Sequence, residues 1–122
     1  MSEPTLTLNL WNLPELLERI EYDRTFLAEL LTIFHQDSLT NLNEAKSALA
    51  STDFPTLERR AHTLKGMFRN LLMNPAAQLA SDLELAARQH HHQTCAVLLT
   101  QLESALQQLL LLADAQAAEV SS

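Results

Sequence analysis

Turn-forming residues are scarce in this chain, which has one glycine and four prolines in 122 residues. That scarcity argues against many short strands and favours a few long helices. A single cysteine, Cys95, excludes an internal disulfide, which suits a reducing compartment. Basic residues are also few. Eight Lys and Arg stand against fifteen Asp and Glu, for a formal charge of −7 at pH 7. So acidic a chain is a poor general ligand for nucleic acid or anionic membrane. No basic segment followed by an apolar run opens the sequence, and the longest apolar run, 109–113, is far too short to span a bilayer. These absences predict a soluble cytoplasmic protein with neither nucleic acid nor membrane as a partner.

What is present is leucine and alanine. Apolar residues make up 47% of the chain and charged residues 19%. That excludes a wholly disordered chain and suits one domain, residues 1–122, around one core. Residues 1–11 read as an extended lead-in, with Leu6, Leu8, Leu10 and Trp11 docking on the helices behind them. A short helix is expected over 12–20, capped by Asn12 with Pro14 in its first turn. Asp23 caps a second helix reaching about Ala50, with Phe26, Leu27, Leu30, Leu31, Phe34, Leu42, Ala45 and Leu49 as its apolar stripe. After a break at 51–53, Asp53 caps a third helix with Pro55 in its first turn, ending near Met73. Asn74-Pro75 reads as a cap followed by the first position of a fourth helix, ending near Gln89. His90 to Gln93 form a connection, and Thr94 caps a fifth helix to about Ala117, followed by a frayed tail over 119–122. Short connections force antiparallel neighbours. The expected fold is all-α: an antiparallel, up-and-down four-helix bundle over 23–118 with a short N-terminal helix.

The third helix carries the chemistry. Leu57, Ala61, Leu64, Phe68 and Leu71 form a core stripe spanning a sector of roughly 80°. His62 points roughly 140° away from Leu57. Lys65, Gly66 and Arg69 flank that direction, and Arg59 lies just beyond. The only glycine of the chain therefore sits inside a helix, at a cost of roughly 1 kcal/mol against alanine, one turn from a solvent-facing histidine. A histidine that accepts a phosphoryl group needs Nε2 open to a large partner, and Gly66 clears the surface beside the ring. Between Arg59 and Arg69 there are four basic residues and no acidic one, a basic patch in an acidic protein that would steer an acidic partner.

The stretch Ala61-His62-Thr63-Leu64-Lys65-Gly66 resembles the signature of the histidine-containing phosphotransfer (HPt) domain family, His-x-Leu-Lys-Gly after a small residue. The resemblance continues through Asn70-Leu71, Leu79-Ala80 and Leu83-Glu84, and loosely over the whole chain in helix order and length. It implies a phosphorelay protein of two-component signalling in which His62 becomes the phosphohistidine, Lys65 assists the phosphate and Gly66 clears the docking surface. It also implies that Glu84 hydrogen-bonds the histidine. A turn near 73–74 would bring Glu84 alongside His62 in an antiparallel fourth helix, where a carboxylate on Nδ1–H leaves Nε2 as the nucleophile. The implied partners are the receiver domain of a hybrid sensor kinase and/or a response regulator. No cofactor or metal is implied for the chain itself, since Mg²⁺ belongs to the partner receiver, and a monomer is the family expectation. Such a protein is a phosphocarrier without an autonomous catalytic site, and the initial Met and lone domain favour a free-standing one. Met67, Phe68, Arg69 and Leu72 depart from the small residues and glycine that the family pattern places there. Met67, Arg59 and Arg69 are accordingly candidate partner-contacting residues.

Plainer readings compete. A helical histidine is usually only a surface residue, Gly66 alone could serve close packing, and Glu84 could simply pair with a neighbouring arginine. His90-His91-His92 invites a metal, but adjacent residues do not converge on one helical face and no further ligand is spaced to help. His35 reads as a boundary residue and Cys95 as a small buried one. The main functional alternative is an HPt-shaped interaction module that binds a receiver or kinase without phosphotransfer. A metal-binding bundle, a nucleic-acid binder and an enzyme in its own right have less support.

Overall fold

The computed structural model describes residues 10–121, with side chains described through Glu119. Leu6 and Leu8 of the expected lead-in lie outside that range. Among the described residues there are five helices and no strand: α1 Leu13–Arg19, α2 Arg24–Ala50, α3 Phe54–Asn70, α4 Asn74–Arg88 and α5 His92–Ser121. The all-α class is as expected. Helix α3 packs on α4 and α2, and α5 closes against α2 and α4, so the four long helices share one core.

Three of the five helix starts follow their capping residues. The side chains of Asn12, Asp23 and Asp53 accept hydrogen bonds from the backbone N–H groups of Glu15, Phe26 and Thr56. The other two starts differ from expectation. Met73, not Asn74, is the N-cap of α4, and no side chain caps it. Helix α5 begins at His92, so Thr94 lies inside it rather than capping it. Here His90 stacks on Phe54 with ring centroids 4.7 Å apart, and His92 meets the same ring edge-on, which draws the connection tight and starts the helix early.

The ends also shift. Helix α3 stops at Asn70 rather than Met73, because Leu72 adopts a left-handed backbone (φ 61°) and Met73 N–H returns to the Phe68 carbonyl at 2.8 Å. Thr52 and His90 close α2 and α4 in the same way, with Asp53 N–H on the Ala48 carbonyl and His91 N–H on the Ala86 carbonyl. A left-handed residue other than glycine costs about 1–2 kcal/mol. None of these turns holds the one glycine that would relieve that cost. Helix α5 runs beyond the expected Ala117, and Glu119, assigned to a frayed tail, is helical and pairs with Arg24 at 3.5 Å. Arg24 also donates to Gln116 at 2.7 Å, which fastens this end of α5 to α2.

The predicted core stripe is buried throughout: Leu57, Ala61, Leu64 and Phe68 on α3, and Leu71 just past its end. In α2, Leu27, Leu31, Phe34, Leu42 and Ala45 are buried, Leu30 and Leu49 are half-buried, and Phe26 is exposed. Ser38 and Asn41 fill the gap in that stripe. Asn41 satisfies its buried amide by donating to the Asp37 carbonyl (2.8 Å) and accepting from Arg60 (3.0 Å). Trp11 is fully buried as expected, and its indole N–H donates to the Leu71 carbonyl at 2.8 Å, pinning the α3–α4 turn. Helix α5 is the one described helix long and apolar enough by composition to cross a bilayer. Of its apolar residues, Cys95, Leu99, Leu102, Leu106, Leu109, Leu110 and Ala113 line the core, whereas Val97 and Leu111 are exposed.

Candidate functional site: an exposed histidine on a buried carboxylate

Helix α3 turns its core stripe inward, and this fixes what its outer face presents. The His62 side chain is 67% exposed. Its Nδ1 lies 2.8 Å from Oε2 of Glu84 on α4, and Nε2 has no partner among the described residues. Glu84 itself is buried, its side chain only 11% exposed. Lys65 donates to its other oxygen, Oε1, at 2.5 Å, and Arg88 stands 3.7 Å from Oε2.

These contacts fix the protonation of the pair. Burial alone would raise the Glu84 pKa. Hydrogen bonds from Lys65 and His62, and the positive charge of both, outweigh it and hold the carboxyl below its usual range. An ionised carboxylate can only accept, so the proton between the two groups belongs on Nδ1 of His62. In the neutral ring the lone pair is then on Nε2, on an exposed side chain.

Gly66 stands one turn further along. A Cβ built on it would meet nothing within 4 Å. Close helix packing therefore does not explain this glycine, and neither does backbone conformation, since Gly66 has no positive φ.

The basic patch is smaller than the sequence suggested. Lys65 is only 16% exposed and serves Glu84 rather than facing solvent. Arg60 turns to α2, where it pairs with Glu44 at 3.2 Å. Arg59 and Arg69 are exposed, and Met67 is half-buried against the core. Phe68 and Leu72 are both buried and take no part in the outer face. Two residues absent from the sequence reading of the site complete it. Arg88 donates through Nε to Glu58 at 2.9 Å and so links α4 to α3 beside the histidine. The i, i+4 spacing of Glu84 and Arg88 was the available signal for the approach of Arg88 to Glu84.

The profile of the Hpt domain matches residues 29–111 of the sequence, well over half of the chain. The chain belongs to the Hpt domain family. Members of this family are histidine phosphotransfer proteins of phosphorelays. Among solved structures, this Hpt domain is similar to histidine-containing phosphotransfer protein B (HptB) from Pseudomonas aeruginosa PAO1. The TM-score is 0.84 at 24% identity, over 90% of this chain and 96% of that one. At that identity the likeness concerns the fold. No curated protein sequence matches the chain.

Proposed function

We propose that this Hpt domain carries a phosphoryl group on Nε2 of His62 between aspartates of receiver domains. One observation carries the reading: an exposed imidazole, its Nδ1 held by a buried ionised carboxylate, beside a glycine that leaves open space. In the forward step, the Nε2 lone pair attacks phosphorus of an aspartyl phosphate. The P–O bond breaks and its electrons return to the aspartate carboxylate. Nδ1 keeps its proton throughout, so the phosphorylated ring is cationic and is stabilised by Glu84. In the return step the P–Nε2 bond breaks and the leaving group is a neutral imidazole. Lys65 supports both steps through Glu84, whose charge it holds in place.

The domain supplies no cofactor in this scheme, and Mg²⁺ sits on the partner receiver. The partner is the receiver of a hybrid sensor kinase and/or a response regulator, met by a monomer in the cytoplasm. The whole of 1–122 acts as one phosphocarrier domain without a catalytic site of its own. Its long helices form an antiparallel, up-and-down four-helix bundle. The opposed pairs Glu58–Arg88 and His62–Glu84 support that direction for α3 and α4, as do Asn41–Arg60 and Phe34–Phe68 for α2 and α3. Phe68 and Leu72, two of the departures from the family pattern, are buried and so do not alter the docking face.

The test is to follow label from phosphorylated receiver domains onto the wild type and onto His62→Gln. Acid-labile, base-stable label on the wild type alone is the expected result. Receiver binding without label on either protein would replace the carrier by the interaction module.

A further inference from the structure

All eight Lys and Arg residues of the chain lie within the described range. Six of them pair with carboxylates: Arg19 with Glu15, Arg24 with Glu119, Lys46 with Glu103, Arg60 with Glu44, Lys65 with Glu84 and Arg88 with Glu58. The two that stand in no described ion pair are Arg59 and Arg69, although Arg59 lies close enough to Asp53 for its charge, after the hydrogen bonds from Thr56, to help hold that carboxyl below its usual range. Both are on α3 and both are exposed. Arg59 donates only to the Thr56 hydroxyl, at 3.2 Å, and Arg69 makes no polar contact with any described residue. In a chain with fifteen carboxylates, the two cations left over stand on the helix of His62.

Their placement is directional. Arg59 precedes His62 by three residues and Arg69 follows it by seven, roughly 4.5 Å and 10.5 Å along the helix axis. On the helical wheel both lie within roughly 60° of the histidine. Gly66 stands between His62 and Arg69 and projects nothing. The pair therefore brackets the histidine on one outward strip, with open space inside the bracket.

We propose that Arg59 and Arg69 select the partner of this site. They admit a receiver domain that carries a carboxylate on each side of its phosphoaspartate pocket, opposite the two guanidiniums when Nε2 is in line with the phosphoryl group. This rests on the reading of His62 as the phosphoryl carrier. A guanidinium presents a planar fork that suits a carboxylate. Charges at such a rim set encounter rate and register more than they set chemistry. Because neither arginine stands in a described ion pair, docking breaks none, and Asp53 keeps its hydrogen bond from the Thr56 N–H. Recruiting Lys65 or Arg88 instead would strip Glu84 or Glu58 of its partner.

The full chain is tested as wild type, Arg59→Glu, Arg69→Glu, the double variant and Arg19→Glu, the last a control on α1. Phosphoramidate, a small donor that needs no docking, should label His62 at the wild-type rate in all five. Transfer is then measured from the phosphorylated receiver domain that a panel shows to be the fastest wild-type donor, at low and high salt. Each single reversal should raise the half-saturating receiver concentration about tenfold and the double about a hundredfold, a range accessible to rim charges. The maximal rate should stay within about twofold, and high salt should narrow the differences. Reversing the facing receiver carboxylates to lysine should rescue the reversed arginines. Unchanged half-saturation in the double variant would overturn the proposal. So would an equal loss of phosphoramidate labelling, which would place the arginines at the phosphoryl group rather than at the rim. A wild type that phosphoramidate fails to label would overturn the carrier reading itself, and this one with it.

Discussion

Two imidazole–carboxylate pairs join helices in this protein, and they are built to different ends. His62 on α3 meets Glu84 on α4 at 2.8 Å, and His35 on α2 meets Asp114 on α5 at 3.0 Å, each through Nδ1. In the first pair the ring is 67% exposed and the carboxylate 11%; in the second the ring is 42% exposed and the carboxylate 59%. Glu84 is gripped by Lys65 on its other oxygen, whereas Asp114, 59% exposed, pairs only with His35 among the described residues. A carboxylate shielded from water keeps one geometry and hands the ring a fixed proton. A solvated one exchanges its partner for water at little cost. The same pair of groups is therefore a fixed, solvent-facing ring in one place and a loose surface contact in the other; only the first suits the proposed phosphoryl carrier. The first also has an open glycine beside it.

The sharpest break in the comparison is removal of each ring. His62→Gln should abolish phosphoryl uptake from any donor, while His35→Gln should leave uptake within about twofold, since surface changes away from a site rarely matter. Intact-mass measurement after incubation with phosphoramidate reads both. Label persisting in His62→Gln and lost in His35→Gln would exchange the roles of the two pairs.

Replacing the carboxylates comes next. Glu84→Gln keeps an oxygen near Nδ1 but loses the charge and frees Lys65. Transfer should slow by about 10–100-fold, the scale on which a carboxylate that orients a working imidazole matters. Asp114→Asn should leave the rate unchanged. Glu84 also has a pH signature. Its pKa in the folded protein is depressed, so its contribution to stability is fully present above the ordinary glutamate pKa, about 4.3, and is lost as pH falls through the lower folded value. The stability gap between wild type and Glu84→Gln, read by denaturant melts, should be constant at neutral pH and close in acid. A gap that widened in acid would mean that burial, not Lys65 and His62, governs this carboxyl.

How much of this was legible in sequence follows the range of each interaction. Asn12, Asp23 and Asp53 act within one turn of themselves, and their caps could be read from spacing alone. The stripe from Leu57 to Leu71 could be read for the same reason. The α3 end could not, because its left-handed Leu72 is held from outside, with the buried Trp11 and the Asn12 N–H bonding the carbonyls of Leu71 and Leu72. The start of α5 depends on Phe54, far away in sequence, stacking on His90. At the site, the direction of His62 and the oddity of Gly66 were visible on one helical wheel. The bond from Lys65 to Glu84 was not legible, because the partner stands on another helix and only packing brings Glu84 under the lysine. The same limit hid the Glu58–Arg88 contact.

Gly66→Ala separates stability from function. A Cβ there meets nothing, so the variant should gain about 1 kcal/mol of helix stability. Thermal unfolding should show that gain, while transfer from a receiver slows and labelling by phosphoramidate does not. A destabilised variant would mean the glycine serves the fold after all.

The smallest effect is the most exacting for the comparison. A double-mutant cycle on His35→Ala and Asp114→Ala should give a coupling within about 0.5 kcal/mol, fading with added salt, as for exposed pairs generally. The His62–Glu84 cycle should give a larger coupling, because Glu84 lies in a poorly solvated setting between two cations. Separation cannot account for such a difference, since the two pairs differ by only 0.2 Å in length. Helix-to-helix connection cannot either, since both pairs bridge helices. What remains is the burial of the carboxylate and the lysine behind it. If the His35–Asp114 coupling instead equalled that of His62–Glu84, burial would not be what distinguishes the reactive pair. The distinction would then rest on Gly66 and the surface around it.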